Sequence, residues 1–114
     1  MFRTEIRWHK IHNMHESALS VKPLVQYIAG RKICLLKTEK GLYAIEDKCP
    51  HNGFSLSKGW CTEDGGAIVC PLHRFAFNLE NGRALTTGGA ARVYPLEQRE
   101  DGLFIGIKET IWGF

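Results

Sequence analysis

The stretch DKCPHNGFSLSKGWCTEDGGAIVCPLHRFAFNLENGR, from Asp47 to Arg83, decides how the rest of the chain is read. It holds two tight pairs, Cys49-Pro50-His51 and Cys70-Pro71-Leu72-His73, with eighteen residues between them. Each pair offers one soft thiolate and one imidazole within a single turn of chain. Four such donors fit a mononuclear zinc site, since Cys₂His₂ is a common tetrahedral set. Structural zinc sites, however, tend to place two cysteines on one knuckle, whereas here each loop supplies one ligand of each kind. That distribution suits a dinuclear iron site with two unlike irons, both cysteines on one and both histidines on the other. Each loop then spans the metal group. Pro50 and Pro71 stiffen the loops and remove backbone donors where the chain turns sharply.

Outward from this stretch, short strand-like runs alternate with turn residues. Ile6 and Trp8 alternate with Glu5, Arg7 and His9 as in a half-buried strand. Leu24–Ile28, Lys32–Thr38 and Leu42–Glu46 are rich in branched and aromatic residues, and short connections make them hairpins. Ala67–Cys70, Phe75–Leu79, Val93–Gln98 and Leu103–Lys108 are further strands, and Asn81–Gly82 and Asp101–Gly102 mark turns. Only Asn13–Lys22 reads as briefly helical, and Pro23 ends it. The expected fold is all-β, an antiparallel barrel or sandwich. A single domain over 1–114 is expected, with a metal-binding subdomain at about 47–83 inserted into a β base formed by 1–46 and 84–114.

With the ligand pairs and flanks together, the sequence resembles the Rieske family, whose pattern is C-x-H, a spacer, then C-x-x-H. Gly41-Leu42-Tyr43-Ala44-Ile45 before the first loop, Gly53, Leu56 and Gly59 after it, and Phe75, Phe77, Asn81 and Gly82 after the second extend the likeness. It covers about residues 22–108. The resemblance implies a [2Fe-2S] cluster held by Cys49, His51, Cys70 and His73, with the thiolates on the buried iron and the imidazoles facing solvent. High-potential relatives carry an extra cysteine in each loop, joined as a disulfide, at the positions of Phe54 and Leu72. They also place Ser and Tyr hydroxyls where Phe75 and Phe77 stand. Each missing hydroxyl removes a hydrogen bond that favours the reduced cluster, so a potential near roughly −150 mV is expected. The segment Thr86–Ala91 lacks the proline of many relatives' covering loop.

By resemblance, the chain is a soluble low-potential ferredoxin, with a reductase as donor and an oxygenase or reductase as acceptor. The alternative is a small electron-transfer subunit of a multi-subunit oxidoreductase, similar to that of nitrite reductase. A zinc-binding interaction module is the third reading. In none of these does the chain perform substrate chemistry alone. The catalytic subunit of a Rieske oxygenase is not expected, because its mononuclear iron needs two more histidines and a carboxylate. Only His9, His12 and His15 remain, crowded at one end.

Gross composition agrees. A chain of 114 residues with 44% apolar content suits one small domain. The net charge is +3, with Lys and Arg scattered singly, which makes nucleic acid and anionic membrane poor default partners. Met1–Phe2–Arg3 leads into charged sequence where a secretory signal would be apolar, and no run approaches the ~18 apolar residues of a membrane span. A cytoplasmic location is expected, and there four cysteines are thiols or ligands rather than disulfide halves. Cys34 and Cys61 are read as ordinary free thiols, and His9, His12 and His15 as surface residues. Trp8, Trp60 and Trp112 are read as packing residues. The apolar end Ile111–Phe114 either folds back on the body or docks a partner.

Overall fold

The computed structural model describes residues 1–86 and 88–113. The strands are β1 (Phe2–Lys10), β2 (Leu24–Ile28), β3 (Arg31–Thr38), β4 (Gly41–Glu46), β5 (Trp60–Cys61), β6 (Ala67–Val69), β7 (Ala76–Asn78), β8 (Val93–Tyr94), β9 (Leu96–Arg99) and β10 (Gly102–Trp112). They form three antiparallel sheets, ordered β1-β10-β9, β2-β3-β4-β8 and β5-β6-β7. The fold is therefore all-β, as the strand periodicity implies.

The sheet β2-β3-β4-β8 is the central layer, and β3 within it is buried on both faces. Successive side chains on a strand point to opposite faces. On β3 and β4, Cys34, Leu36 and Ile45 enter one core, together with Leu56, Ile68, Phe77, Leu79 and the cysteines Cys49 and Cys70. Ile33, Leu35 and Ala44 point the other way, against Ile11, Leu103, Ile105 and Ile107 of the β1-β10-β9 side. The run Ile33-Cys34-Leu35-Leu36 is apolar throughout because a strand covered on both faces has no solvent side. One face of this sheet thus supports the metal-binding loops, and the other is held by the terminal strands.

Where the sequence suggests one strand over Val93–Gln98, Pro95 divides it. Proline has no N–H to give a ladder, and the chain uses the interruption to change sheets: β8 pairs with β4, whereas β9 pairs with β10. The helix expected over Asn13–Lys22 is reduced to a 3₁₀ turn, Glu16–Ala18, started by the Ser17 backbone N–H donating to His15 Nδ1 at 3.2 Å. So short a segment cannot offset the cost of nucleating an α-helix. The expected Asp101–Gly102 turn shifts by one residue: Arg99 pairs with Gly102, which leaves Glu100 and Asp101 between the strands. The two-residue strand β5 carries too few residues to announce itself by periodicity.

The terminal strands form a long ribbon in which Phe2 faces Trp112 and Lys10 faces Phe104. The apolar end therefore folds back, through Trp112, whose ring lies 4.6 Å from Phe2, and through Gly113, whose N–H donates to the Met1 carbonyl at 3.0 Å. Phe114, the last residue of that segment, lies outside the described residues, as does Thr87. None of the tryptophans enters a core: Trp112 is 65% exposed, Trp60 46% and Trp8 39%. Trp8 is covered in part by the Arg99 guanidinium, 5.3 Å from its ring. Among the described residues no helix is long and apolar enough to cross a membrane.

Candidate metal centre

The two Cys/His loops are closed in the same way. The Cys49 N–H donates to the Phe54 carbonyl at 2.7 Å, and the Cys70 N–H donates to the Phe75 carbonyl at 2.8 Å. Each cysteine therefore opens a loop sealed five residues later by a phenylalanine. Cys49 and Cys70 are buried in the same apolar core, while His51 and His73 are exposed. All four residues singled out in the sequence reach one region: the His51 ring lies 4.6 Å from the Phe75 ring, and the His73 ring lies 6.1 Å from it.

Electrostatics follow from this burial. The Cys70 thiol is a weaker acid than usual, chiefly because it is desolvated, with the neighbouring Cys49 thiol adding to the shift. The Leu72 backbone and the Asn52 side chain oppose it by hydrogen bonding to the sulfur, as donors that favour a thiolate do. The Cys70 thiol therefore resists ionisation until a metal supplies the positive charge. Cys34, in the same core, is pushed up to about 12, by burial first and then by Asp47 and Cys61. It is a packed thiol, as expected of it. Cys61 contacts the Val21 carbonyl at 3.3 Å, and burial raises its pKa as well.

The histidine side is shaped by a third segment. The His51 Nε2 lies 2.9 Å from the Gly88 carbonyl. A carbonyl only accepts, so Nε2 carries the proton, and in the neutral ring Nδ1 bears the lone pair. Metal-bound histidines commonly fix their tautomer in this way, by giving the other N–H to a backbone carbonyl. Gly88 thus reaches His51 from a stretch that holds no proline. Gly89 beside it takes φ 94°, a backbone conformation that favours glycine.

Several supporting residues carry no motif. Asp47, 4% exposed, accepts from the Ser57 N–H at 2.6 Å and the Ser57 hydroxyl at 2.7 Å, and its carboxylate lies 3.2 Å from Lys32 Nζ. It ties the exit of the first loop to the central sheet. Gly59 and Gly82 lie where no side chain fits: a Cβ would come 1.7 Å from the Val69 carbonyl oxygen and 1.9 Å from that of Ala91. Their place in the sequence rhythm was visible, but its steric reason was not.

The donor set fits a two-iron, two-sulphide group. Among the described residues no three Cys, His, Asp or Glu side chains converge on one point, as a mononuclear zinc ion requires. A two-iron cluster asks for only two protein ligands per iron. Phe54 and Leu72 stand where a disulfide would need cysteines, and all four cysteines are free thiols. The Phe75 and Phe77 rings lie against His51, at 4.6 and 5.8 Å, where hydroxyls would otherwise stand.

Comparison with known proteins agrees with this geometry. The family model described as the Rieske [2Fe-2S] domain matches residues 7–97. The 3-phenylpropionate/cinnamic acid dioxygenase ferredoxin subunit of Shigella boydii is 34% identical over 80 residues, which cover 68% of this chain and 74% of that one. A crystal structure from Mycobacterium tuberculosis, described as an NADH-dependent nitrite reductase small subunit, superposes with a TM-score of 0.78 at 20% identity. The match covers 90% of this chain and 96% of that one. Apo dicamba monooxygenase superposes with a TM-score of 0.73 at 26% identity, over 87% of this chain and 32% of its own.

Proposed function

The chain belongs to the Rieske [2Fe-2S] domain family, and we propose that it is a ferredoxin carrying single electrons from a reductase to an oxygenase. Cys49 and Cys70 would hold one iron and His51 and His73 the other. The observation that carries this reading is the matched closure of the two loops, each with its cysteine inside the core and its histidine at the surface. When bound, the cluster takes up and returns one electron at a time.

The residues of the chain have distinct tasks in this scheme. Cys49 and Cys70 anchor the group in the core, and the Leu72 and Asn52 donors favour the thiolate at Cys70. The Gly88 carbonyl orients the His51 ring. Phe75 and Phe77 pack their rings beside His51 and offer no hydroxyl, which supports a potential at the low end of the range, roughly −150 mV. The exposed edges of His51 and His73 are the exit for electrons. Lys48, Lys58 and Arg74, all exposed around the loops, suit an acidic partner surface. Encounter would then slow as salt rises, since exposed charges are screened.

We assign the acceptor as an oxygenase because the 34%-identical relative is a dioxygenase ferredoxin subunit. The nitrite reductase small subunit shares the fold at only 20% identity. The metal-binding part is assigned to about 47–83 on a β base of 1–46 and 84–114, and the location to the cytoplasm. The chain has no substrate chemistry of its own.

The test is a low-temperature electron paramagnetic resonance spectrum of the dithionite-reduced protein, with iron and zinc counted on the same sample. A rhombic signal of low average g with two irons per chain is expected, and a redox titration should give a midpoint below zero. Stoichiometric zinc without a signal, in protein prepared without air, would make the chain a zinc-binding interaction module instead.

A further inference from the structure

A second concave site lies away from the Cys/His loops, between the β1–β10 ribbon and the β8 end of the central sheet. We propose that this cleft binds a small organic oxyanion, a carboxylate or phosphate head carried on an apolar or aromatic body. None of its lining residues belongs to either loop, so the inference does not depend on the electron-transfer reading.

The cleft has a volume of ≈ 350 Å³, within the ~300–1,000 Å³ typical of small-molecule sites. Its ribbon wall is one continuous face, because Thr4 pairs with Thr110 and Ile6 with Lys108. The cleft is also lined by Arg31, which opens β3, and Arg92, which precedes β8. Three cationic side chains, Arg31, Arg92 and Lys108, therefore border one cavity. Among the described residues none of them has an ion-pair partner.

The second observation is Tyr94, which also lines the cleft and is 7% exposed. Its hydroxyl is buried and, among the described residues, no group meets it in full hydrogen-bonding geometry. The Arg92 guanidinium lies near enough to act on the hydroxyl oxygen as a weak hydrogen-bond donor, and Arg31 acts on it electrostatically; neither can accept, so the hydroxyl proton has no acceptor among the described residues. Arg31 lines the cleft, and Arg92 lines both the cleft and a neighbouring groove. Glu46, the acidic group that also acts on the hydroxyl, lines the neighbouring groove beside Lys48 and Pro50 instead. Burial first, and Glu46 second, hold the phenol above its ordinary pKa against the two arginines, so it stays protonated at neutral pH and can donate.

A buried donor without an acceptor carries a desolvation penalty that a bound acceptor removes. An oxyanion supplies that acceptor and matches the planar guanidinium fork, which grips carboxylate and phosphate oxygens in pairs. The rest of the wall is apolar, through Ile6, Val93 and Pro95. At Gly106 a Cβ would meet Pro95 Cγ at 2.9 Å and Ile6 Cγ2 at 3.0 Å, so the wall there is tightly packed. Charged head groups at one side and hydrocarbon at the other select an amphipathic anion over a bare one.

The experiment is calorimetric titration of the cluster-loaded protein at low salt with benzoate, phenyl phosphate and inorganic phosphate. One-to-one saturable binding of an aromatic probe is expected, about tenfold tighter than inorganic phosphate. The tighter aromatic probe identifies the head as carboxylate or phosphate. Tyr94→Phe should weaken it about tenfold, the effect of losing one hydrogen bond to a charged group. Arg31→Gln combined with Lys108→Gln, on side chains outside both cores, should abolish it while leaving the cluster's absorption unchanged. No saturable heat with either aromatic probe up to about 10 mM would overturn the proposal. So would binding that these variants leave unaltered, or equal affinity for inorganic phosphate.

Discussion

The loop from Cys49 to Phe54 and the loop from Cys70 to Phe75 reach the same end by different backbones. Both are sealed by the cysteine N–H on a phenylalanine carbonyl, and both bury the thiol. In the first, the histidine comes two residues after the cysteine and the chain turns at Gly53, with φ 77°. In the second, the histidine comes three residues after, and His73 and Arg74 themselves take φ of 66° and 56°. One loop gives its left-handed position to glycine, and the other imposes it on a ligand and its neighbour. If the loops are nonetheless equal anchors, Cys49→Ser and Cys70→Ser must fail alike. Each should abolish the reduced-state paramagnetic signal and lower iron content to background, because a hard oxygen replaces a soft thiolate. A normal Rieske signal in either variant would break the equivalence and the ligand assignment with it.

The loops also differ in how they leave the site. The second runs straight into β7, where Ala76 pairs with Val69. The first enters a 3₁₀ turn, Leu56–Lys58, whose place is held by the buried Asp47 carboxylate through Ser57 and Lys32. Strand pairing performs in one loop what a side-chain carboxylate performs in the other. Asp47→Ala should therefore destabilise the protein by about 2–3 kcal/mol, since it strands the Ser57 donors and leaves Lys32 without its partner. Lys32 is partly exposed, so solvent limits the loss. Asp47→Asn, which keeps one acceptor, should cost less. Chemical denaturation of the three proteins would order them, and equal midpoints would remove Asp47 from the account.

Much of this was legible in the sequence because it is local. The four Cys and His residues of the two loops announce themselves by type and spacing, and many of the strands by branched residues between glycine and proline punctuation. Leu24–Ile28 matches its strand residue for residue. The parts that stayed hidden depend on contacts through space. Asp47 meets partners ten and fifteen positions away with no motif between them, and the Gly88 contact to His51 uses a backbone carbonyl, which every residue has. Pro95 was plain to see, yet the alternation across Val93–Gln98 continues through it, so the change of sheet was not. The run Ile33–Leu36 marked a strand by its branched residues, but not that both of its faces would be covered.

The histidine side invites a finer comparison. His51 has Phe75 and Phe77 rings beside it and the Gly88 carbonyl on its outer nitrogen. For His73, the ring contact is with Phe75 alone, and among the described residues its imidazole has no hydrogen bond. Both surroundings lack a hydroxyl donor near the sulfurs. Phe77→Tyr offers one, and a donor stabilises the more negative reduced state, so the midpoint should rise. One added hydrogen bond worth about 1.4 kcal/mol between the two redox states corresponds to ~59 mV for a one-electron couple. A redox titration that leaves the midpoint in place would mean that the missing hydroxyl does not set the potential, and that another source such as solvent access at the exposed imidazoles does.

The smallest effect expected concerns the left-handed residues themselves, and it separates the loops by sign. At Gly53 a Cβ meets only the Lys48 Cε at 4.0 Å, so Gly53→Ala has room and suffers only the backbone penalty. That conformation costs an L-residue roughly 1–2 kcal/mol, and stability should fall by about that much. Arg74→Gly runs the other way: it relieves the same penalty in the second loop, while glycine's greater freedom in the unfolded chain returns ~0.5–1 kcal/mol of it. The net should be a gain of at most about 1 kcal/mol, read as a small rise in melting temperature. Arg74 is exposed, so little packing is lost. Opposite signs would locate the stored strain in the second loop, where it holds His73 toward the surface. A loss in both variants would mean that the Arg74 side chain contributes more than its backbone costs.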